Sequence, residues 1–227
     1  MKKIICLAVV ATCIFCLFSC GSKFDPNYEY DGHSLVGIWC EEDYSPSEYY
    51  TYEFTAENTM ILRYYHYGIL FDNSVGSLTI GKNVFTVTYE NYDGSKTYVE
   101  NKFCITEDGE LVMVYLSKQN DMEEMEAIYI PYEMEYNKEN PLLGTWENTA
   151  VEDELWIFDE EFVVTMPNEI KTEKMAYSVN NNKLYLLYMI DPGEHKLYSD
   201  TPIIFTFDIE GDTLTLDGDI DYTFKKK

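Results

Sequence analysis

His33, His66 and His195 are the three histidines of this 227-residue chain, the residue type best suited to acid–base work near neutral pH. None has a partner at metal-ligating spacing. His33 lies in a polar stretch, His66 sits among tyrosines, and His195 follows Pro192-Gly193-Glu194 in a turn. No Gly-x-Ser-x-Gly nucleophile elbow and no Gly-rich phosphate loop occurs. With 41 aspartates and glutamates in the chain, paired carboxylates are everywhere and single out no catalytic pair. Asp217-Gly218-Asp219-Ile220-Asp221 spaces three acids as the start of a calcium loop does. Tyr222, however, stands where that loop needs glycine, so the stretch reads as an Asp-Gly turn. The expectation is no enzyme: no catalytic residues, no metal and no cofactor. The tyrosines are more suggestive. Tyr44, Tyr49, Tyr50, Tyr52, Tyr64, Tyr65 and Tyr67 fall in one hairpin region. A flat apolar face with a hydroxyl suits stacking on a sugar or lining a cavity. Tyr50, Tyr52, Tyr64 and Tyr65 are the candidate ligand-contacting set. The plainer reading puts Tyr50 and Tyr52 in the core with Phe54.

The N-terminus carries another kind of chemistry. Lys2 and Lys3 precede an apolar run from Ile4 to Phe18, too short to span a bilayer and placed as a secretory signal is. The run ends at Leu17-Phe18-Ser19-Cys20-Gly21, which resembles the lipobox of bacterial lipoproteins. The resemblance implies acylation of Cys20, removal of residues 1–19, and anchoring to the membrane by several acyl chains. An uncleaved anchor or an ordinary secretory signal is the alternative. Residues 20–34 then read as a polar tether.

The formal charge is −25, and removal of residues 1–19 takes two lysines and no acid, making it −27. That opposes nucleic acid and anionic lipid heads. Arg63 is the only arginine, so a bidentate anion clamp is not expected. Once the signal has gone and Cys20 carries lipid, Cys40 and Cys104 remain. A disulfide suits an oxidising compartment, but strand phase argues against it. If Trp39, Phe103 and Ile105 point inward, both thiols point outward.

Leu35-Val36-Gly37-Ile38-Trp39 returns as Leu142-Leu143-Gly144-Thr145-Trp146, and each copy opens a segment with the same order of short strands. Tyr50–Phe54 matches Glu154–Phe158, Thr59–Tyr65 matches Phe162–Met166, and Ser77–Ile80 matches Ala176–Val179. Val84–Tyr89 matches Lys183–Ile190, Lys102–Ile105 matches Thr206–Ile209, Leu111–Tyr115 matches Leu214–Leu216, and Ala127–Met134 matches Asp219–Lys225. Turns fall at Gly81-Lys82-Asn83, Glu107-Asp108-Gly109, Asn180-Asn181-Asn182 and Glu210-Gly211-Asp212, residue types that tolerate positive φ. Between them the period is two, with Phe85 and Val87, or Phe205 and Phe207, on one face and polar residues on the other. Asp121–Ala127 reads as a short helix or an acidic loop. The fold class is all-β: two tandem, small antiparallel up-and-down barrels, which remove exposed edges. They span residues 35–136 and 142–227, joined by a linker at 137–141. One larger composite sheet is the alternative.

A Leu-x-Gly-x-Trp opening strand followed by hairpins resembles the lipocalin-like (calycin) domains of bacterial cell-envelope lipoproteins, particularly those of gut Bacteroidota. The resemblance covers residues 35–136 and 142–226. It implies that Gly37 and Gly144 let the chain pass under the barrel and that Trp39 and Trp146 plug its closed end. It also implies that a basic residue of the last strand stacks on the tryptophan. Lys225 or Lys226 could do so for Trp146, whereas the first repeat has no such residue. The expected function is a non-enzymatic lipoprotein of the cell envelope, at the outer membrane, whose barrels take a small apolar or glycan ligand. A structural or protein-interaction lipoprotein with solid barrels is the second reading, and a hydrolase the third.

Overall fold

The computed structural model describes residues 22–91, 93–115, 125–167, 172–191, 197–199 and 201–227. The signal segment, Cys20, residues 121–124 and the turn containing His195 lie outside the described residues. Ala127, expected in a short helix or loop, is in a strand.

The fold is all-β. The first barrel comprises β1 (Gly37–Glu41), β2 (Glu48–Phe54), β3 (Thr59–His66), β4 (Ile69–Ile80), β5 (Val84–Glu90), β6 (Lys96–Ile105), β7 (Leu111–Tyr115) and β8 (Met125–Pro131). Its strands follow one another in chain order, and β8 returns to pair antiparallel with β1, Trp39 opposite Pro131. The second comprises β9 (Gly144–Asn148), β10 (Leu155–Phe158), β11 (Val163–Met166), β12 (Glu173–Asn180), β13 (Lys183–Asp191), β14 (Leu197–Tyr198), β15 (Ile203–Glu210), β16 (Thr213–Asp217) and β17 (Tyr222–Lys226). Two pairings complete its ring of eight: β12 with β13, and β17 with β9, where Phe224 faces Asn148. β14 adds to the end of β13. Two eight-stranded antiparallel barrels in tandem fit the lipocalin-like arrangement, and closure leaves neither ring with a free edge.

The turns take positive φ where the residue types allow it: Gly109 at +81°, Asn181 at +54° and Gly211 at +63°. Inward alternation then builds the cores. In β15, Phe205 and Phe207 are buried while Ile204, Thr206 and Asp208 are exposed. In β5, Phe85 and Val87 are buried, and the Phe85 ring packs against Phe54 and Phe103.

By packing, the chain divides into two compact units. One contains Met1–Glu42, Phe54–Met60 and Gly76–Pro131; the other contains Asp43–Glu53, Ile61–Val75 and Tyr132–Lys227. In the first unit, residues 22–34, read from sequence as a tether, are packed down. The Tyr28 and Tyr30 rings meet Phe103 edge-on at 5.7 Å. The Tyr30 amide donates to the Lys82 carbonyl at 2.8 Å, and Lys23 pairs with Glu110 at 2.9 Å.

The same segment covers one of the two thiols expected to point outward. Cys40 and Cys104 are free, as strand phase suggested, but both are buried. The amide of Asp25 donates to Cys104 Sγ at 3.3 Å, so the outer face of β6 is roofed at that point.

In the second unit β12 is buried on both faces. Tyr177 faces the barrel interior, whereas Ala176 and Ser178 are buried outside it. Ile69 packs on Ala176 and Leu187, the Ser178 hydroxyl donates to the Tyr67 carbonyl, and Tyr67 stacks on Tyr185 at 5.1 Å.

Candidate functional site

The closed ends of the two barrels are built alike. Trp39 Nε1 donates to the Leu35 carbonyl at 2.9 Å, and Trp146 Nε1 donates to the Leu142 carbonyl at 2.6 Å. All four residues are buried, so each bond satisfies a carbonyl and an indole N–H that have lost water. Gly37 and Gly144 adopt φ of +149° and +124°, values that side-chain-bearing residues rarely hold. At Gly144 there is a second constraint, because a Cβ there would come within 3.3 Å of Lys226 Cε. Lys226 Nζ sits 5.2 Å from the centroid of the Trp146 ring. Lys225 instead pairs with Asp212 at 2.7 Å.

Around Trp146 the interior of the second barrel is filled, and Phe158 stands opposite Gly144. Phe158, Val164, Tyr177, Leu184, Leu214 and Phe224 are all buried there. The Tyr177 hydroxyl accepts from Asn140 Nδ2 at 2.7 Å and donates to the Asp159 carbonyl at 2.9 Å. Burial pushes its pKa up to about 12. Further along the barrel, Trp156 meets Phe205 from the opposite side of the ring at 6.5 Å, and the side chains around them are less closely packed. They leave a cavity of about 1170 Å³, lined by Trp156, Met166, Met175, Leu186, Phe205 and Tyr222 among others. That is at or beyond the upper end of small-ligand pockets, roughly 300–1,000 Å³. The cavity opens at the β9–β10, β11–β12, β13–β15 and β16–β17 end, where Glu152, Asp153, Glu154, Glu173 and Asp219 stand.

Glu154 is anchored. Its Oε1 accepts from Trp156 Nε1 at 3.1 Å and its Oε2 accepts from Asn148 Nδ2 at 2.9 Å. The Trp156 ring contacts Tyr222 at 5.4 Å and Phe224 at 5.2 Å. Burial raises the Tyr222 pKa, and the charge of Glu154 raises it further.

The tyrosine set does not form one site. Tyr50 and Tyr64 stack at 4.8 Å on one side, where Tyr50 is 47 % exposed, and the Tyr64 hydroxyl donates to Glu48. Tyr65 is buried and stacks on Tyr49 at 5.1 Å. Tyr52 is half-buried. Tyr50 and Tyr52 are not the inward pair. Tyr49, Thr51 and Phe54 are the buried residues of β2, because the alternation slips by one between Thr51 and Phe54. Tyr49 also meets Tyr44 and Tyr132, and accepts a hydrogen bond from Tyr132 Oη at 2.9 Å.

Among the described residues no group of three or more His, Cys, Asp and Glu converges as a metal cage. Asp217–Asp221 carries the chain from β16 into β17 at the cavity rim. Sequence reasoning singled out neither the cavity nor Trp156. The repeat alignment had placed Trp156 in its strand, but nothing in the local pattern marked it as lining open space.

Neither curated proteins nor solved structures give a match to this chain. One family does, over residues 140–226, the span from Asn140 beside Tyr177 to Lys226 beneath Trp146; it is described as a family of unknown function (DUF5640).

Proposed function

We propose that this protein is a non-enzymatic lipoprotein of the bacterial cell envelope, anchored at the outer membrane through an acylated Cys20, and that its second barrel binds a small ligand with an apolar body. The cavity above Trp156 carries this reading: about 1170 Å³ walled by Met166, Met175, Leu186, Phe205 and aromatic rings. Transfer of apolar surface from water into such walls contributes about 25 cal/mol per Å² buried. The lipobox at Leu17–Cys20 supports the anchor, and the paired Leu-x-Gly-x-Trp openings support the likeness to envelope lipocalin-like domains. Native mass spectrometry of the protein purified from its own membranes tests the binding. A retained small molecule is expected beyond the acylated chain, and it should be lost from a variant carrying Met175→Phe and Leu186→Phe. A chain that retains nothing and shows no saturable binding of 4-phenylbutan-1-ol by saturation-transfer NMR would sink the reading.

A structural or protein-contact role is the second reading. The Tyr44, Tyr49, Tyr65 and Tyr132 rings favour it, since they pack against one another.

A further inference from the structure

We infer that the second-barrel cavity selects an amphipathic cation: an apolar body with a protonated amine or quaternary ammonium at one end. This deepens the apolar-ligand reading and rests on it. The cavity is polarised along its depth. Its wall is apolar and aromatic, while its rim carries Glu152, Asp153, Glu154 and Asp219 together with Glu173. No lysine or arginine stands among the described lining residues.

Lys174 is exposed on β12 between Glu173 and Met175 but is not among the lining residues. Three further lysines stand away from the rim. Lys225 is tied to Asp212, Lys226 covers Trp146, and Lys227 pairs with Glu147 at 2.7 Å. All three belong to the closed end of the barrel or its flank. Arg63, the chain's one arginine, pairs with Glu53 at 2.6 Å. An anionic ligand in this cavity would meet only like charge from the described rim and would find no basic partner among the described lining residues, so it would lose its hydration uncompensated.

A cation meets the opposite arrangement. Glu154 is already held by Trp156 Nε1 and Asn148 Nδ2, so its charge is oriented before any ligand arrives. The same Trp156 and the neighbouring Tyr222 line the cavity with ring surface. A cation over an indole or phenol face is attracted by the ring quadrupole, and a fixed carboxylate beside the ring adds Coulomb attraction in a partly dry site. Glu154 and Tyr222 line the same cavity, which places that charge at its wall.

The test uses the full chain in phosphatidylcholine vesicles and three probes sharing one apolar body: 4-phenylbutylamine, 4-phenylbutan-1-ol and 4-phenylbutanoate. Binding is read by saturation-transfer NMR, with the Met175→Phe, Leu186→Phe double variant in the same vesicles as the partitioning blank. The amine is expected to bind about tenfold more tightly than the alcohol, and the carboxylate most weakly. The gap should narrow in high salt as the rim is screened. In a Glu152→Gln, Asp153→Asn, Asp219→Asn variant, whose substitutions fall on exposed residues, the amine should fall towards the alcohol while the alcohol is unchanged. Equal binding of amine and alcohol overturns the cation inference and leaves the apolar cavity standing. An amine preference that survives the triple substitution and Glu154→Gln overturns the assignment to these carboxylates. Failure of all three probes to bind overturns the apolar reading and this inference together.

Discussion

Lys226 Nζ stands 5.2 Å from the centroid of the Trp146 ring, and its Cε passes so close to Gly144 that a methyl group there would approach within 3.3 Å. The residues of the repeated motif and the end of the last strand are therefore one packed object. Glycine at 144 is needed both for φ of +124° and for the lysine stem.

Loss of either member should cost measurable stability. Lys226→Ala is expected to lower unfolding free energy by about 0.5–1 kcal/mol, the value of an exposed cation–π contact. Gly144→Ala should cost more, about 1–3 kcal/mol, because backbone strain is added to the contact. Urea unfolding followed by tryptophan fluorescence reads both. Equal effects would show that the φ constraint is not felt.

The indole N–H bonds at the two closed ends should be worth similar amounts. Trp39→Phe and Trp146→Phe each leave a buried leucine carbonyl, of Leu35 or Leu142, without its donor. An unsatisfied buried group costs about 1–3 kcal/mol. Each variant should shift the urea midpoint downward by a corresponding amount, and a variant as stable as the parent would remove this role from the motif.

Gly68 has a different constraint. Its φ is +75°, and a Cβ would fall 2.2 Å from Tyr136 Cγ. Tyr136 is itself buried, with its hydroxyl donating to the Pro46 carbonyl at 2.9 Å. Gly68→Ala must therefore displace a packed ring, and the expected loss is about 2–4 kcal/mol from strain and overpacking. Gly94→Ala, where a Cβ meets nothing within 4 Å although φ is +76°, should be clearly milder when both variants are compared by urea unfolding.

Alkaline pH should unfold the protein before it exposes any acid-labile weakness in these groups. Burial pushes the Cys40 thiol up to about 12, and it pushes the Tyr177 hydroxyl to about 12 as well. In the unfolded chain a thiol ionises near 8.5 and a phenol near 10. Both folded values are raised, so the stability they contribute is complete below about pH 8.5 and is lost as pH climbs towards 12. Urea midpoints should fall over that range, and Cys40→Ser should flatten its lower part. A midpoint constant from pH 8 to 11 would contradict the burial of these groups. Neither Cys40 nor Cys104 should react with a thiol reagent at pH 8 until the chain is denatured.

Much of the fold was legible. Phe205 and Phe207 alternate with polar neighbours, and Gly109, Asn181 and Gly211 stand where tight turns need positive φ. Lys226, one of two lysines the resemblance offered, is the one over Trp146. Other features were hidden for physical reasons. A period of two assigns Cys104 to the face opposite Phe103 but cannot say that the Asp25 backbone lies across that face. The phase slip in β2 between Thr51 and Phe54 is a one-residue event that alternating tyrosines conceal. The cavity is the sum of side-chain volumes around a whole ring, and β10 shows one apolar alternation through both Trp156, which lines the cavity, and Phe158, which is packed in the core.

The pairing of β17 with β9, which closes the second barrel, also governs how the barrel is made. Every other pairing around its ring joins neighbours in sequence or nearly so, and such hairpins assemble locally. Phe224 and Asn148 are far apart in sequence, and contacts of such long sequence separation form slowly. Until they meet, β9 and β17 each present one unpaired edge, a template for joining another chain. Lys225, Lys226 and Lys227, clustered on or just past the closing strand, place charge on that transient edge and so discourage intermolecular pairing while the ring is open.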